Sequence, residues 1–405
     1  MSRFRLQEFI ATFITQRHES LFAADLENNH DLLNERINDR SVLVIGGAGT
    51  IGSSFVKAIL RYHPRSLYVV DTNENGLTEL TRDLRSSFGL EVPDEYLTYP
   101  IDFGGRVFEK VFREKGPFDI VANFAAHKHV RSEKDQYSIE AMIENNIIKA
   151  KRLLDLLIPF PPQHFFCVST DKAANPVNVM GASKKLMEET ILAYASDIPI
   201  TTARFANVAF SNGSLLYGFL ERMVKQQPLS APSDVRRYFV SPEESGQLCL
   251  LACVLGQSGD IFFPRLDPEQ MKTFADIAVD FLREYAGVKH QECASEEEAR
   301  AVAASLSEDS STYPVFFFQT DTSGEKPFEE FYTDTEVVDL TRYRELGIVK
   351  NARKGDREPV ERLIEELRSL FQEGTASKAD VVNVLRQLVP GFDHIETGKS
   401  LDQRM

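Results

Sequence analysis

The sequence predicts an α/β fold, a doubly wound parallel sheet, from three observations. Short apolar runs recur from residue 41 onward with helical stretches between most of them, and strand and helix alternating at that spacing build a parallel sheet. A glycine-rich turn joins the first run to the first helical stretch. Both ends of the chain instead carry apolar stripes of helical period.

The runs come in order. Ser41–Ile45 leads into glycines and a helical stretch over Ile51–Tyr62. Leu67–Val70 ends at Asp71, and Ile120–Phe124, His164–Val168, Ile200–Phe205 and Ile261–Phe263 follow. Ahead of them Leu6, Phe9, Ile10, Phe13 and Ile14 recur at helical spacing, with a polar stretch up to Arg40. After Gly213 prolines accumulate (Pro228, Pro232, Pro242, Pro264, Pro268). That predicts a smaller C-terminal substrate lobe built onto the ends of the sheet. Glu292–Asp309 is acidic and rich in Ser and Ala, an exposed helix or a loop. Val360, Leu363, Ile364, Leu367, Leu370 and Phe371 form a second amphipathic helix, with Glu361, Glu365 and Glu366 on its polar face.

The division expected is a helical extension over residues 1–40, a dinucleotide-binding domain over 41–212, mainly substrate lobe over 213–342, open to interleaving with that domain, and a helical extension over 343–405. The stripes of the end helices pack either on their own chain or on another subunit. The second option predicts a homo-oligomer.

Composition excludes several function classes. The net charge is -15, which argues against nucleic acid as a partner. No run of about 18 apolar residues predicts a membrane span. The start, Met-Ser-Arg-Phe-Arg, lacks the apolar region of a signal peptide, so a cytoplasmic location is expected. Cys167, Cys249, Cys253 and Cys293 show no C-x-x-C spacing and no nearby His cluster. They read as reduced thiols, Cys167 in a buried strand, and no metal is expected.

Val42-Leu43-Val44-Ile45-Gly46-Gly47-Ala48-Gly49-Thr50-Ile51-Gly52 is the strongest local signal. A strand runs through a tight glycine turn into a helix, as in Rossmann-type dinucleotide sites. Glycines admit close approach of a pyrophosphate, and the helix N-terminus offers it free N–H groups. Gly46, Gly49, Thr50, Ile51 and Gly52 are therefore candidate cofactor contacts. An acid about 20 residues on completes the pattern, and it is Asp71. Its carboxylate would accept from both ribose hydroxyls and repel a 2′-phosphate, so NAD is expected over NADP. Thr72, Asn73 and Glu74 offer no cation to reverse that. Asp102 would meet the adenine or is a solvated loop acid.

Ser169-Thr170-Asp171-Lys172-Ala173-Ala174-Asn175-Pro176-Val177-Asn178-Val179-Met180-Gly181-Ala182-Ser183-Lys184 places a hydroxyl, a carboxylate and two ammonium groups near one strand end. Further stretches are Ala125-Ala126-His127-Lys128-His129-Val130, Arg204-Phe205-Ala206-Asn207-Val208, Arg237-Tyr238-Phe239 and Gly324-Glu325-Lys326. Together they resemble the extended short-chain dehydrogenase/reductases. Within these they look like the UDP-N-acetylglucosamine 4,6-dehydratases of surface-polysaccharide and nonulosonic acid pathways. The resemblance covers roughly Ser41 to Phe331. One position departs from the wider superfamily, whose Tyr-x-x-x-Lys here reads Met180-Gly181-Ala182-Ser183-Lys184. Methionine carries no proton. The resemblance implies a branch with Met at this place that retains configuration at C5; a catalytically dead NAD-binding relative is the other reading.

The resemblance implies the following chemistry. Bound NAD takes a hydride from C4, a base removes the C5 proton, the C6 hydroxyl leaves as water, and the hydride returns to C6. Lys184 would hold the nicotinamide ribose, and Ala125 would line the cofactor. Thr170 would hydrogen-bond the C4 oxygen. Asp171 is the candidate acid for water loss. Lys172 is the candidate C5 base, which requires a lowered pKa. Lys128, Met180, Asn207, Arg237 and Glu325 are candidate substrate contacts, Arg237 because guanidinium grips phosphate oxygens in a fork. Lys128 alternatively is a solvated charge. Two rivals remain: a nucleotide-sugar 4-epimerase, which needs no acid for water loss, and a non-catalytic NAD-binding module.

Overall fold

The computed structural model describes residues 4–307, 309–321, 323–350, 356–372, 374, 376–389 and 391–397. Glu308 of the acidic stretch and parts of the C-terminal extension lie outside these.

Nine strands form the main sheet: β1 (Ser41–Ile45), β2 (Ser66–Asp71), β3 (Glu95–Pro100), β4 (Ile120–Asn123), β5 (His164–Val168), β6 (Ile200–Ala203), β7 (Ile261–Pro264), β8 (Val338–Asp339) and β9 (Leu346–Val349). Their order is β8-β9-β7-β6-β5-β4-β1-β2-β3. Every pairing from β3 across to β7 is parallel, while β9 runs antiparallel to both β7 and β8. β1 is buried along its whole length, as a strand covered by helices on both faces must be. The chain builds outward from β1 to β3, then returns to β4 on the other side. That reversal opens a crevice at the strand ends between β1 and β4, where ligands of such sheets bind.

The glycine turn enters α1 (Thr50–Leu60), and the Asp171 segment enters α2 (Val179–Leu192). A further helix, Pro242–Leu255, starts with Pro242 at its first turn and a reciprocal Ser241–Glu244 cap, and buries nearly every residue after its first turn. It and β7 fall within residues 213–342, so that stretch is interleaved with the sheet. The remainder forms a small parallel three-stranded sheet of Leu229–Pro232, Thr312–Phe318 and Lys289–Glu292. The acidic stretch contains the helix Glu296–Ala304.

The end helices are spent on their own chain. Phe9, Ile10 and Ile14 pack with Phe210 and with Phe219 and Phe281 of the second lobe. Arg17 reaches Glu244 with two hydrogen bonds of 2.9 Å. The Asp25 carboxylate accepts from the Arg344 and Glu345 N–H groups at 2.8 and 2.9 Å. At the other end α3 (Arg357–Gln372) buries Val360, Leu363, Ile364 and Leu367 in the core cluster that holds Leu186 and Ile191 of α2, and α4 (Lys378–Leu385) joins it. The stripes therefore give no ground for the homo-oligomer drawn from them. The region after residue 342 also corrects the expectation of a helical extension, because β9 lies there and joins the main sheet. Its isolated apolar run carries no helix-or-strand signature of its own.

All four cysteines are free and buried, Cys167 in β5. Among the described residues no helix is long and apolar enough to cross a membrane.

Candidate active site

A cavity of about 950 Å³ opens at the ends of β1, β2, β4 and β5 and extends to the second lobe. Gly46, Gly49, Thr50, Ile51, Gly52, Asp71, Asp102, Ala125, Lys128, Thr170, Lys172, Met180, Lys184, Asn207, Arg237 and Glu325 all line it. Asp171 alone of the expected site residues does not.

The glycine turn is built for contact. Gly46 sits at φ +74, where a Cβ would lie 2.4 Å from the Ala125 nitrogen; one on Gly52 would lie 2.3 Å from the Gly46 oxygen. Gly49 precedes α1 and provides no side-chain cap, so the first N–H groups of the helix are left for an anion. Asp71 is fixed beside them, its two oxygens accepting from the Ala48 and Asn73 N–H groups at 3.0 and 2.9 Å. These features fit a dinucleotide. Gly52→Ala is expected to cost about 1–3 kcal/mol of overpacking in this turn and to weaken dinucleotide binding about tenfold or more, measured by calorimetric titration.

Asp102 is tied to Lys149 at 2.6 Å and to the Gly104 N–H at 2.9 Å. Burial pushes its pKa up, but Lys149, the Gly104 N–H and Arg152 together outweigh burial and hold it below the usual carboxylate range. The loop after β4 is clamped by Asn146, whose amide exchanges bonds of 2.8 and 3.0 Å with the His127 backbone and donates to Ser183 at 3.1 Å. Sequence reasoning missed Asn146. Its signal was an Asn pair inside an apolar helical run, a poor helix former placed there for its amide.

Beyond β5, Thr170 starts a single tight turn, Asp171–Ala173. The Thr170 hydroxyl donates to Asp171 at 2.8 Å, so Asp171 stands behind Thr170 and meets the cavity through it. Lys172 faces the cavity, with its ammonium 3.3 Å from Asp171 and 3.5 Å from Glu329. Burial alone would lower its pKa, but Asp171 and Glu329 raise it above the ordinary lysine value. The lowered pKa expected of a resting base is thus absent, because two carboxylates flank the charge. Lys184 is buried as well: burial pushes its pKa down, and its Nζ donates to the Val168 carbonyl at 2.6 Å. Met180 is buried, its backbone N–H held by Glu133 at 2.9 Å.

On the substrate side Lys128 is exposed to the open cavity. Its ammonium donates to the Asn212 carbonyl at 3.0 Å, and burial among the walls lowers its pKa. Arg237 departs from the expectation of a free phosphate fork. Its guanidinium holds Glu325 at 2.9 Å and the carbonyls of Arg236, Lys326 and Pro327 at 3.0, 3.0 and 3.2 Å. It fixes the Glu325 loop at the cavity wall. Two groups the sequence did not single out also line the cavity, Arg222 and Ser230, whose Nε and Oγ are buried without a partner. Nothing local distinguishes them from polar residues of an ordinary helix face and strand. Glu329 was missed too, although it lies four positions beyond Glu325.

Behind the site is a fully buried ion pair. Arg204 grips Glu188 at 3.0 and 2.8 Å and Glu336 at 2.8 Å twice. Glu188 in turn accepts from the Ser169 hydroxyl at 2.6 Å. The pair joins the end of β5, α2 and the segment before β8.

An uncharacterized membrane protein of Methanocaldococcus jannaschii is 29% identical over 77% of this chain and 86% of its own length. The capsular polysaccharide biosynthesis protein CapD of Staphylococcus aureus is 29% identical over 65% of this chain but only 44% of its own length. An inverting UDP-N-acetylglucosamine 4,6-dehydratase of Campylobacter jejuni is 26% identical over 59% of this chain and 70% of its own. A UDP-glucose 4-epimerase of Rickettsia canadensis is 28% identical over 66% and 81%. Among solved structures, Pen from Bacillus thuringiensis has the same fold, with a TM-score of 0.62 at 20% identity over 82% of this chain and 98% of that one. The model of the family described as polysaccharide biosynthesis protein matches residues 42–351, and the chain belongs to that family, a branch of the extended short-chain dehydrogenase/reductases.

Proposed function

We propose that this protein binds NAD, in preference to NADP, and catalyses 4,6-dehydration of a nucleotide-activated N-acetylhexosamine, UDP-N-acetylglucosamine, to a 4-keto-6-deoxy sugar. The observation that carries the reading is Thr170, Asp171 and Lys172 gathered in one turn beside Lys184 at the cavity. Transfer of a hydride away from C4 and back to the same carbon, as in epimerisation, needs no second acid and base there.

The dinucleotide would accept the C4 hydride and return it at C6. Lys184 holds the ribose hydroxyls, and its charge favours an alkoxide nearby. Asp71 accepts from the adenosine ribose and repels a 2′-phosphate. The Thr170 hydroxyl hydrogen-bonds O4 and relays its proton to Asp171. Asp171 returns that proton, again through Thr170, to the departing C6 hydroxyl, so the O4 proton leaves in the water. Lys172, once it has given up a proton and become the amine, removes the C5 proton and restores one to the same face, which gives retention. Lys128, Arg222 and Ser230 are the groups left to bind the nucleotide portion, with Asn207 beside them. The Arg237–Glu325 pair holds the wall and contacts the substrate. Met180 packs against the sugar without taking a proton.

Incubation of the protein with UDP- and GDP-N-acetylglucosamine in heavy water tests this, with the products read by NMR. The expected result is a 4-keto-6-deoxy product from the UDP sugar, carrying deuterium at C5 with configuration retained. A C4 epimer alone overturns the reading in favour of an epimerase. Tight dinucleotide binding with no turnover favours a non-catalytic module.

A further inference from the structure

Lys172 sits between two carboxylates, which poses a chemical problem for any base at that position. Its ammonium is 3.3 Å from Asp171 and 3.5 Å from Glu329, and all three side chains are largely shielded from water. Glu329 is also 3.8 Å from Arg237, which holds Glu325 at 2.9 Å. The buried cluster thus contains three carboxylates, Asp171, Glu325 and Glu329, around two cations, Lys172 and Arg237, with Lys326 also acting on Glu329. Out of water both the ammonium and the carboxylate pay for their charge, so burial favours moving the proton from one to the other.

Glu329 is the member placed to take it. Arg237 engages Glu325 by a direct hydrogen bond. Asp171 accepts from Thr170 and from the Lys172 N–H at 2.8 and 2.9 Å. Glu329 is nine-tenths buried and faces the two cations only at longer range. Burial first, joined by the charge on Asp171 in the resting cluster, keeps its carboxyl above the ordinary glutamate value despite the opposing cations, and burial persists when Asp171 is neutralised.

We propose that Glu329 is the internal proton acceptor that turns Lys172 from ammonium into amine once Asp171 has taken the O4 proton. This rests on the dehydration reading above. When Asp171 is neutralised, Lys172 loses one of its two counter-charges. An N–H bond of Lys172 breaks, an O–H bond of Glu329 forms, and the free amine removes the C5 proton. When C5 is reprotonated, Glu329 returns its proton to Lys172, and the cluster is as it began. Glu329 touches neither sugar nor cofactor; it is a positioning residue for the charge on Lys172.

The test uses Glu329→Gln, with two readouts. In the substrate-free protein, competitive acetylation of Lys172 followed by mass spectrometry is expected to be several-fold faster near neutral pH than in the wild type, because the ammonium has lost a counter-charge. With substrate, C4 oxidation, read as reduced cofactor absorbance, is expected to persist. C5 exchange with solvent deuterium is expected to fall about 100-fold at neutral pH, the low end of general acid–base contributions. It should then recover as pH rises, since solvent must now take the Lys172 proton. The proposal is overturned by unchanged C5 exchange, by a loss with no alkaline recovery, by an equal loss of C4 oxidation, or by unchanged Lys172 acetylation. Glu329→Asp, which keeps a carboxyl on a shorter stem, is expected to fall between; if the Gln chain fails to fold, a wild-type pH profile in the Asp chain with lost C5 exchange overturns it too. Failure of the wild type to form any 4-keto-6-deoxy product instead removes the dehydration reading, and the acetylation readout stands apart from it.

Discussion

Asp171→Asn is expected to lower dehydration by about 10²–10⁴-fold, the range of general acid–base contributions, while leaving the dinucleotide bound. The amide keeps the shape of the carboxyl and still accepts from the Thr170 hydroxyl, now 2.8 Å from Asp171. It cannot receive the O4 proton or return one to the C6 hydroxyl. The glycine turn and Asp71 lie at the ends of other strands, so cofactor affinity should stay within a few-fold of the wild type. The measurement is kcat by NMR of the product together with calorimetric titration of NAD. Full activity in the variant would remove Asp171 from the proposed proton path. Thr170→Val should resemble it, because Asp171 reaches the cavity through that hydroxyl.

Arg204→Met carries the largest expected effect on stability. It removes the cation facing Glu188 and Glu336, and Arg204 and Glu188 are fully buried. Breaking a buried pair from one side costs about 3–5 kcal/mol, since the remaining charge keeps its desolvation penalty without compensation. The urea midpoint should fall accordingly, and adding Glu188→Gln in the same chain should recover part of the loss. The pair also predicts a pH window. Burial raises the Glu188 carboxyl, but Arg204 and Lys185 overcome this and depress it to about 2 from an ordinary value of 4.5. A folded carboxyl held below its unfolded value stabilises the fold above the unfolded value and loses that contribution as pH falls toward the folded one. Acid unfolding of the wild type should therefore draw on Glu188 between about 4.5 and about 2, and Glu188→Gln should lose that dependence. An unchanged acid transition in the variant would show that the pair does not set it.

Several elements were legible locally because their physics is local. A glycine turn between an apolar run and a helix needs only neighbours in sequence to be read, and so does an acid at the end of the next run. Gly46, Gly49, Gly52 and Asp71 accordingly line one cavity. The Thr170–Lys172 turn was recognisable as unusual chemistry at a strand end. Its charge state was not, because the decisive counter-charge, Glu329, lies over 150 positions away in sequence. Arg237 shows the same limit: its residue type suggested a phosphate fork, but a distant loop consumes its donors.

By itself, then, the sequence determined the alternation that makes the parallel sheet, the dinucleotide turn and the hydroxyl–carboxylate–ammonium turn, each governed by spacing along the chain. Tertiary structure alone decided that Asp171 stands behind Thr170, that Lys172 is held charged between two carboxylates, and that the end helices cover their own chain. The physical reason is that burial and counter-charge are properties of what packs around a side chain, and Glu329, Arg204 and β9 reach their partners only when remote segments are folded together.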